Sequence, residues 1–243
     1  EHTDRLLKSA GILGFDIPYS ADEIDVACSE VCKVNGIVDG YIRPVAWRGS
    51  EMMGVSAQQN TIHLAIAAWP WPSYFSPEAC MQGIRLKTSE WRRPAPETAP
   101  TDSKAAGLYM ICTMSKHAAE AEGYDDALML DWRGQVAEAT GANIFLVFGD
   151  SKLHTPTPDC FLNGITRQTV IELAEARGIE VVERPIMPEE LANATEVFLT
   201  GTAAEVTPVG EMDDHKFTVG DISRWMMDDY DKAVGKTPGE AAA

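Results

Sequence analysis

Apolar positions recur at helical spacing in the first ten residues, where Leu6, Leu7 and Ala10 share a stripe and Glu1 and Asp4 suit a helix N-terminus. Pro18-Tyr19-Ser20 ends that segment. Ser20 followed three residues later by Glu23 is a capping-box pattern, and Ile24, Ala27 and Val31 carry the helix toward a stop at Asn35-Gly36. The period then changes to two. Tyr41 to Trp47 reads as a strand, Gly49 to Gly54 as a loop, and Thr61 to Trp69 as a buried strand with His63 in a structural place near its start. Two prolines pin the aromatic run Trp69 to Phe75, which is either a pocket wall or core at a domain edge.

Gly83 to Ser89 predicts a further strand, and a domain boundary falls ahead of it, so that residues 1–78 form a smaller domain and 79–243 a larger one. The proline-rich connector Arg92 to Pro100 leads into TDSKAAGLYM, Thr101 to Met110. Ile111, Cys112, Met114, His117 and Ala121 follow as a helix. Strands at Ala127–Leu130, Gln135–Glu138 and Asn143–Phe148, with a turn at Asp131–Gly134, predict an antiparallel hairpin series. Leu162 to Arg167 reads as a loop entering a helix over 168–177. A strand at 179–183, a short helix at 188–192, a strand at 196–199 and a final helix near 222–230 complete a mixed α/β chain, with a frayed tail beyond Lys232.

Composition narrows the function. At 243 residues with 45% hydrophobic and 23% charged content, the chain can bury a substantial core. A net charge of -17 disfavours a nucleic-acid backbone or an anionic membrane surface as partner. No apolar run has the length of a membrane span, and no signal peptide is recognisable. The five cysteines make no CxxC or zinc-ligand pattern, so reduced thiols, no metal and a cytoplasmic setting are expected.

Four places could carry chemistry. Lys104 stands among small residues: a reactive lysine facing a cavity, or a surface lysine. Arg43 interrupts an apolar and aromatic strand: an anion receptor, or a charge that is paired or exposed. Glu138 ends a strand beside Ala137, Ala139 and Gly141, where a ligand can approach closely; a surface or capping glutamate is the alternative. The Gly164-Ile165-Thr166 and Gly201-Thr202-Ala203 turns can each hold an anion on backbone N–H groups, although neither is a P-loop.

Taken together, EHTDRL, YIRP, AAWPW, TDSKAAGLY, GQVAEATGANIF, LNGITR and FLTGTAAEVTPV resemble, in order and across essentially the whole chain, the branched-chain aminotransferases. These are fold-type-IV enzymes that use pyridoxal 5'-phosphate. The resemblance implies a smaller N-terminal α/β domain, a larger domain of pseudo-barrel character, and the cofactor at their interface. It implies a two-step exchange in which L-leucine, L-isoleucine or L-valine gives its amino group to 2-oxoglutarate, and a homodimer or an assembly of dimers.

Residue by residue, Lys104 resembles the lysine that binds the cofactor covalently and moves the proton. Tyr109 resembles the partner of the phenolic oxygen, and Glu138 the carboxylate facing the ring nitrogen. Arg5, Ile165, Thr166 and Thr202 resemble the phosphate grip, with Leu162 against the ring. Arg43, with Tyr41 and Tyr74, resembles the receptor for the side-chain carboxylate of glutamate. Thr202 and Ala203 resemble the α-carboxylate site, and Trp71 the apolar pocket wall. D-amino-acid transaminases, R-selective amine transaminases and aminodeoxychorismate lyases share the scaffold, but YIRP and GTAAEVTP look like the branched-chain pattern. An inactive structural relative is the alternative of a different class, and the retained Lys104, Tyr109 and Glu138 count against it. Family members carry further residues ahead of the EHTDRL helix, so the smaller domain is expected to be incomplete at its N-terminus.

Overall fold

The computed structural model describes residues 1–71 and 81–236. Its contacts separate two compact units, within Glu1–Pro72 and within Ser73–Ala241.

The first unit has helices α1 (His2–Ile12) and α2 (Ala21–Val34) and strands β1 (Tyr41–Arg48) and β2 (Ile62–Trp69), paired antiparallel from Tyr41 opposite Trp69 to Arg48 opposite Ile62. The capping box forms: the Glu23 N–H donates to Ser20 Oγ at 3.3 Å and the Ser20 N–H donates to Glu23 Oε2 at 2.8 Å. The Ser20 N–H, with the Ser20 hydroxyl that donates to the same Oε2 at 2.9 Å, holds the Glu23 carboxyl below its ordinary range. Ala10, Ile17 and Ile24 form a small core against Ala46 and Leu64, which face each other on the strands. Arg48 Nη2 donates to the Leu13 and Gly14 carbonyls at 3.0 and 2.9 Å, tying the end of β1 to the chain leaving α1. The expected burial of 61–69 is not found; β2 alternates between half-buried and exposed positions. The reason is architectural. Among the described residues this sheet has two strands, and helices cover only the face bearing Ala46 and Leu64.

The second unit is a closed ring of strands. β3 (Ile84–Arg93) pairs with β4 (Asp126–Asp131), β4 with β5 (Val136–Ala139), β5 with β6 (Asn143–Val147), β6 with β9 (Glu196–Gly201), β9 with β10 (Glu205–Met212), and β10 returns to β3. β7 (Leu153–Thr155) and β8 (Val181–Glu183) extend the sheet from β6, and β11 (His215–Lys216) extends it from β10. Closure removes the edges of the ring strands and gives each an inner and an outer face.

Inner residues Leu86, Leu128, Val136, Ile144, Leu146, Val197, Leu199 and Val209 pack with Ile186 and Leu191, the latter from the 3-10 turn Pro188–Asn193. Helix α3 (Tyr109–Ala121) lies along β3 and β4. On the outer face, Phe145, Val147 and Phe198 pack against α4 (Ile165–Ala176) and α5 (Asp221–Ala233).

Three expectations change. β3 runs on to Arg93, into the residues expected as connector. The helix expected at 168–177 begins at Ile165, so Ile165, Thr166 and Arg167 form its first turn. Lys104 precedes a 3-10 turn, Ala106–Leu108, and the α-helix proper starts at Tyr109. No helix among the described residues is long and apolar enough to cross a membrane. Cys28, Cys32, Cys112 and Cys160 are free thiols; Cys80 lies outside the described residues.

Candidate active site

Glu138 is the centre of a polar network on the outer face of the ring. It sits opposite Asn143 in the β5–β6 hairpin. The register shift between β4 and β5 lets Val136 and Ala139 both face the inner core while Glu138 turns away from it. Its side chain is only 12% exposed, and Arg93 Nε lies 3.3 Å from Oε1. Asn143 Nδ2 donates to Oε2 at 3.2 Å. Burial pushes the Glu138 carboxyl up to about 7, against the opposing pull of Arg93 and then Lys104. The ion pair is close, but its N–H is poorly aligned: Arg93 Nε is a buried donor without a hydrogen-bond acceptor. Attraction between the charges does not need that alignment.

Asn143 links this carboxylate to the start of α4. Its Nδ2 also donates to the Leu162 carbonyl at 3.0 Å, and its Oδ1 accepts from the Gly164 N–H at 3.2 Å. A Cβ on Gly164 would lie 2.3 Å from that oxygen, so only glycine fits here without displacement. Gly164 is the N-cap of α4 and has no side chain with which to cap it. The first-turn N–H groups of Ile165, Thr166 and Arg167 therefore point out of the helix without intrahelical partners, at its positive end. Arg167 is 1% exposed and is not available to a ligand: it bonds Thr155, Asn163, Pro156 and Glu183, and so fixes the chain entering α4. Thr166 is buried, with its hydroxyl bonded to Tyr230.

The second expected anion turn lies nearby. A Cβ on Gly201 would lie 3.3 Å from the Gly141 carbonyl, which places the 201–203 turn against the turn following Glu138. Thr202 is exposed and Ala203 half-buried. Thr200, opposite Asn143 on β9, has a buried hydroxyl with no hydrogen-bond partner. Lys104 itself is exposed. It follows a turn pinned by the buried Thr101 and Ser103, the latter's hydroxyl donating to the Pro100 carbonyl at 2.7 Å. Tyr109 is exposed at the start of α3.

The remaining expected residues belong to the first unit, apart from Tyr74, which lies outside the described residues. Arg43 shares a strand face with Tyr41 and is exposed; its guanidinium lies 5.1 Å from the Tyr41 ring centre and 5.5 Å from that of Trp69. Trp71 packs on Tyr41 and Trp69, with ring centres 5.3 and 5.7 Å apart. Arg5 is half-buried on α1, with Nη2 3.4 Å from His2 Nδ1.

The model of amino-transferase class IV matches residues 1–212. A probable branched-chain-amino-acid aminotransferase of Rickettsia felis is 46% identical over 213 residues, 88% of this chain and 72% of that protein. The chain belongs to the branched-chain aminotransferases. The Thermoproteus uzoniensis branched-chain aminotransferase, solved with norvaline, superposes with a TM-score of 0.91 at 39% identity, over 96% of this chain and 77% of that one. An aminotransferase from Brucella abortus, solved with the cofactor PLP bound, superposes with a TM-score of 0.80 at 33% identity, over 93% of this chain and 79% of that one.

Within this branched-chain aminotransferase, sequence reasoning missed Arg93, Asn143 and Thr200. Asn143 follows Glu138 by five residues in a run that reads as apolar strand; a buried amide there signals a network, not a surface. Asp131, Asp159 and Cys160 bring ligand atoms within 4.8 Å of one another. Arg133 already bridges the two carboxylates at 2.6 and 2.8 Å, and burial pushes the Cys160 thiol up to about 12, so this cluster is a satisfied ion pair beside a protonated thiol.

Proposed function

We propose that this chain is a transaminase that moves the amino group of L-leucine, L-isoleucine or L-valine to 2-oxoglutarate with pyridoxal 5'-phosphate. The observation that carries the reading is the buried Glu138 carboxylate, facing the charge of Lys104 and tied through Asn143 to the open N-terminus of α4. An anionic group suits that helix end, and a cationic ring nitrogen suits a carboxylate short of water. The buried Thr200 hydroxyl, left without a partner beside Asn143, fits a polar group bound there.

When bound, the cofactor supplies the electron sink that makes the α-proton of the amino acid removable. Lys104 Nζ would hold the cofactor covalently between turnovers; displaced by the incoming amino acid, its free amine would take the α-proton and return it at C4', on the far side of the nitrogen. Glu138 keeps a proton on the ring nitrogen. Its carboxylate attracts a facing N–H⁺ more strongly than it would in solvent. The N–H groups of Ile165 and Thr166, with Thr202 and Arg5, are assigned to the phosphate, Tyr109 to the phenolic oxygen and Leu162 to the ring face. Arg43 beside Tyr41 is assigned to the side-chain carboxylate of glutamate, Trp71 to the apolar wall, and Thr202 and Ala203 to the α-carboxylate. A cation stacked on aromatic faces offers one surface to both apolar and carboxylate side chains. The family resemblance supports a cytoplasmic homodimer or an assembly of dimers.

The test supplies pyridoxal 5'-phosphate, L-leucine and 2-oxoglutarate and follows formation of the branched 2-oxo acid. Turnover of the wild type, and its loss by at least about a thousandfold in Lys104→Ala, is expected. Turnover of D-alanine without L-leucine overturns the substrate assignment. A Lys104→Ala variant that keeps turning over L-leucine overturns the role of Lys104.

A further inference from the structure

Arg93 ends β3, is 4% exposed, and has no part in the reaction as described above. Its Nε lies 3.3 Å from Glu138 Oε1, while Nη1 lies 3.3 Å from Cys112 Sγ and 3.5 Å from the Leu108 carbonyl. One guanidinium therefore joins the strand bearing Glu138 to the start of α3, where Leu108 immediately precedes Tyr109. On the other side, Asn143 holds Oε2 and is itself held by the Leu162 carbonyl and the Gly164 N–H. Both oxygens of the carboxylate are gripped by groups whose positions the backbone sets.

A buried ion pair is a poor way to add stability. Its desolvation cost offsets most of its attraction, and an apolar pair would fill the same wall at less cost. The charges facing Glu138 give this one a different use. The Cys112 thiol is pushed up by burial and stays neutral, leaving Arg93 and Lys104 as the facing cations. Lys104 gains and loses protons during turnover. Arg93 is the cation that stays constant.

We propose that Arg93 is a positioning residue for transamination: with Asn143 opposite, it biases the Glu138 carboxyl toward its ionised form and keeps it aimed at the ring nitrogen throughout the cycle. The inference rests on the assignment of Glu138 to that nitrogen. It acts through Glu138 alone, so removing Glu138 removes its effect.

The experiment uses the holoenzyme and the variants Arg93→Met and Arg93→Lys, each alone and in a Glu138→Gln background. It reads the protonation of the ring nitrogen by nitrogen NMR of the isotope-labelled cofactor, alongside kcat and KM for L-leucine. Arg93→Met is expected to move the ring signal toward the unprotonated value and to lower kcat about 10- to 100-fold, leaving KM within about twofold. Arg93→Lys recovers part of both, and neither variant moves the ring signal further once Glu138 is Gln. A wild-type ring signal in Arg93→Met overturns the proposal, as does a kcat loss that persists undiminished in the Glu138→Gln background. Should Arg93→Met fail to fold, Arg93→Gln gives the same reading with a polar neutral side chain. A wild-type ring signal indifferent to Glu138→Gln sinks the assignment of Glu138 itself, and so is told apart from a failure at Arg93.

Discussion

Arg43 and Glu138 are both charged residues on strands, and the two units treat them in opposite ways. Arg43 lies on the uncovered face of a two-stranded sheet and rests on the rings of Tyr41 and Trp69. Glu138 lies on a strand of a closed ring, walled in and gripped at both oxygens. An exposed cation on aromatic faces keeps its hydration and can accept or release an anion at little cost. A walled carboxylate has lost most of its water and depends on the groups built around it. The first arrangement suits a substrate that changes every half-cycle; the second suits a cofactor that stays.

The largest effect that sharpens this contrast is in the pH dependence of folding. The Glu138 carboxyl is raised from 4.5 to about 7 by burial, so the folded state binds its proton more tightly than the unfolded chain does. That contribution is present in full below about pH 4.5 and is lost as pH rises through 7, an amount on the order of 3 kcal/mol. Denaturant titrations of the cofactor-free protein from pH 5 to 8 are therefore expected to show wild-type stability falling more steeply with pH than that of Glu138→Gln. The comparison is of slopes, because the variant also leaves Arg93 without a counter-charge. Equal slopes would mean that Glu138 is no more walled in than Arg43.

The exposed side of the contrast is read in kinetics. Arg43→Met is expected to raise KM for 2-oxoglutarate about 10- to 100-fold, the loss of one or two charge-assisted hydrogen bonds, and to leave KM for L-leucine within about twofold. Stability should change little, since the guanidinium is exposed. A large stability loss with both KM values unchanged would make Arg43 a structural residue and dissolve the comparison.

Local elements around both residues were legible in the sequence, whereas contacts made by chain closure were not. The capping box at Ser20, the strand Tyr41 to Trp47 and the hairpin series around Glu138 follow from local spacing, and the structure contains each of them. Family resemblance marked Lys104 and Glu138, and the structure puts their charges in reach of each other. What local spacing missed was made by chain closure. Arg93 reads as connector because prolines follow it, yet pairing with β4 carries β3 up to it. The start of α4 was set three residues late because its cap is a glycine, and a glycine carries no side-chain signal for a helix start. β10 is interrupted by Pro208 and Gly210, and its place between β9 and β3 supplies the order that alternation lacks.

The smallest effect tests whether the two units stand apart in stability as they do in burial. The core of the first unit is short: Ala10, Ile17 and Ile24 with partly buried neighbours, against two large clusters in the second. Helix α2 supplies Ile24 and Cys28 to that core, and its N-terminus is held by Ser20. Ser20→Ala removes the acceptor for the Glu23 N–H and is expected to cost about 1 kcal/mol. A unit with few buried contacts opens at lower denaturant than a closed barrel. Monitored by hydrogen exchange under increasing urea, the variant should therefore speed exchange about fivefold in α1, α2, β1 and β2. Exchange in β4, β6 and β9 should stay at the wild-type rate. A matching acceleration in β6 and β9 would show that the open sheet and the closed ring unfold as one cooperative body, and that their different treatment of charge is not a difference in stability.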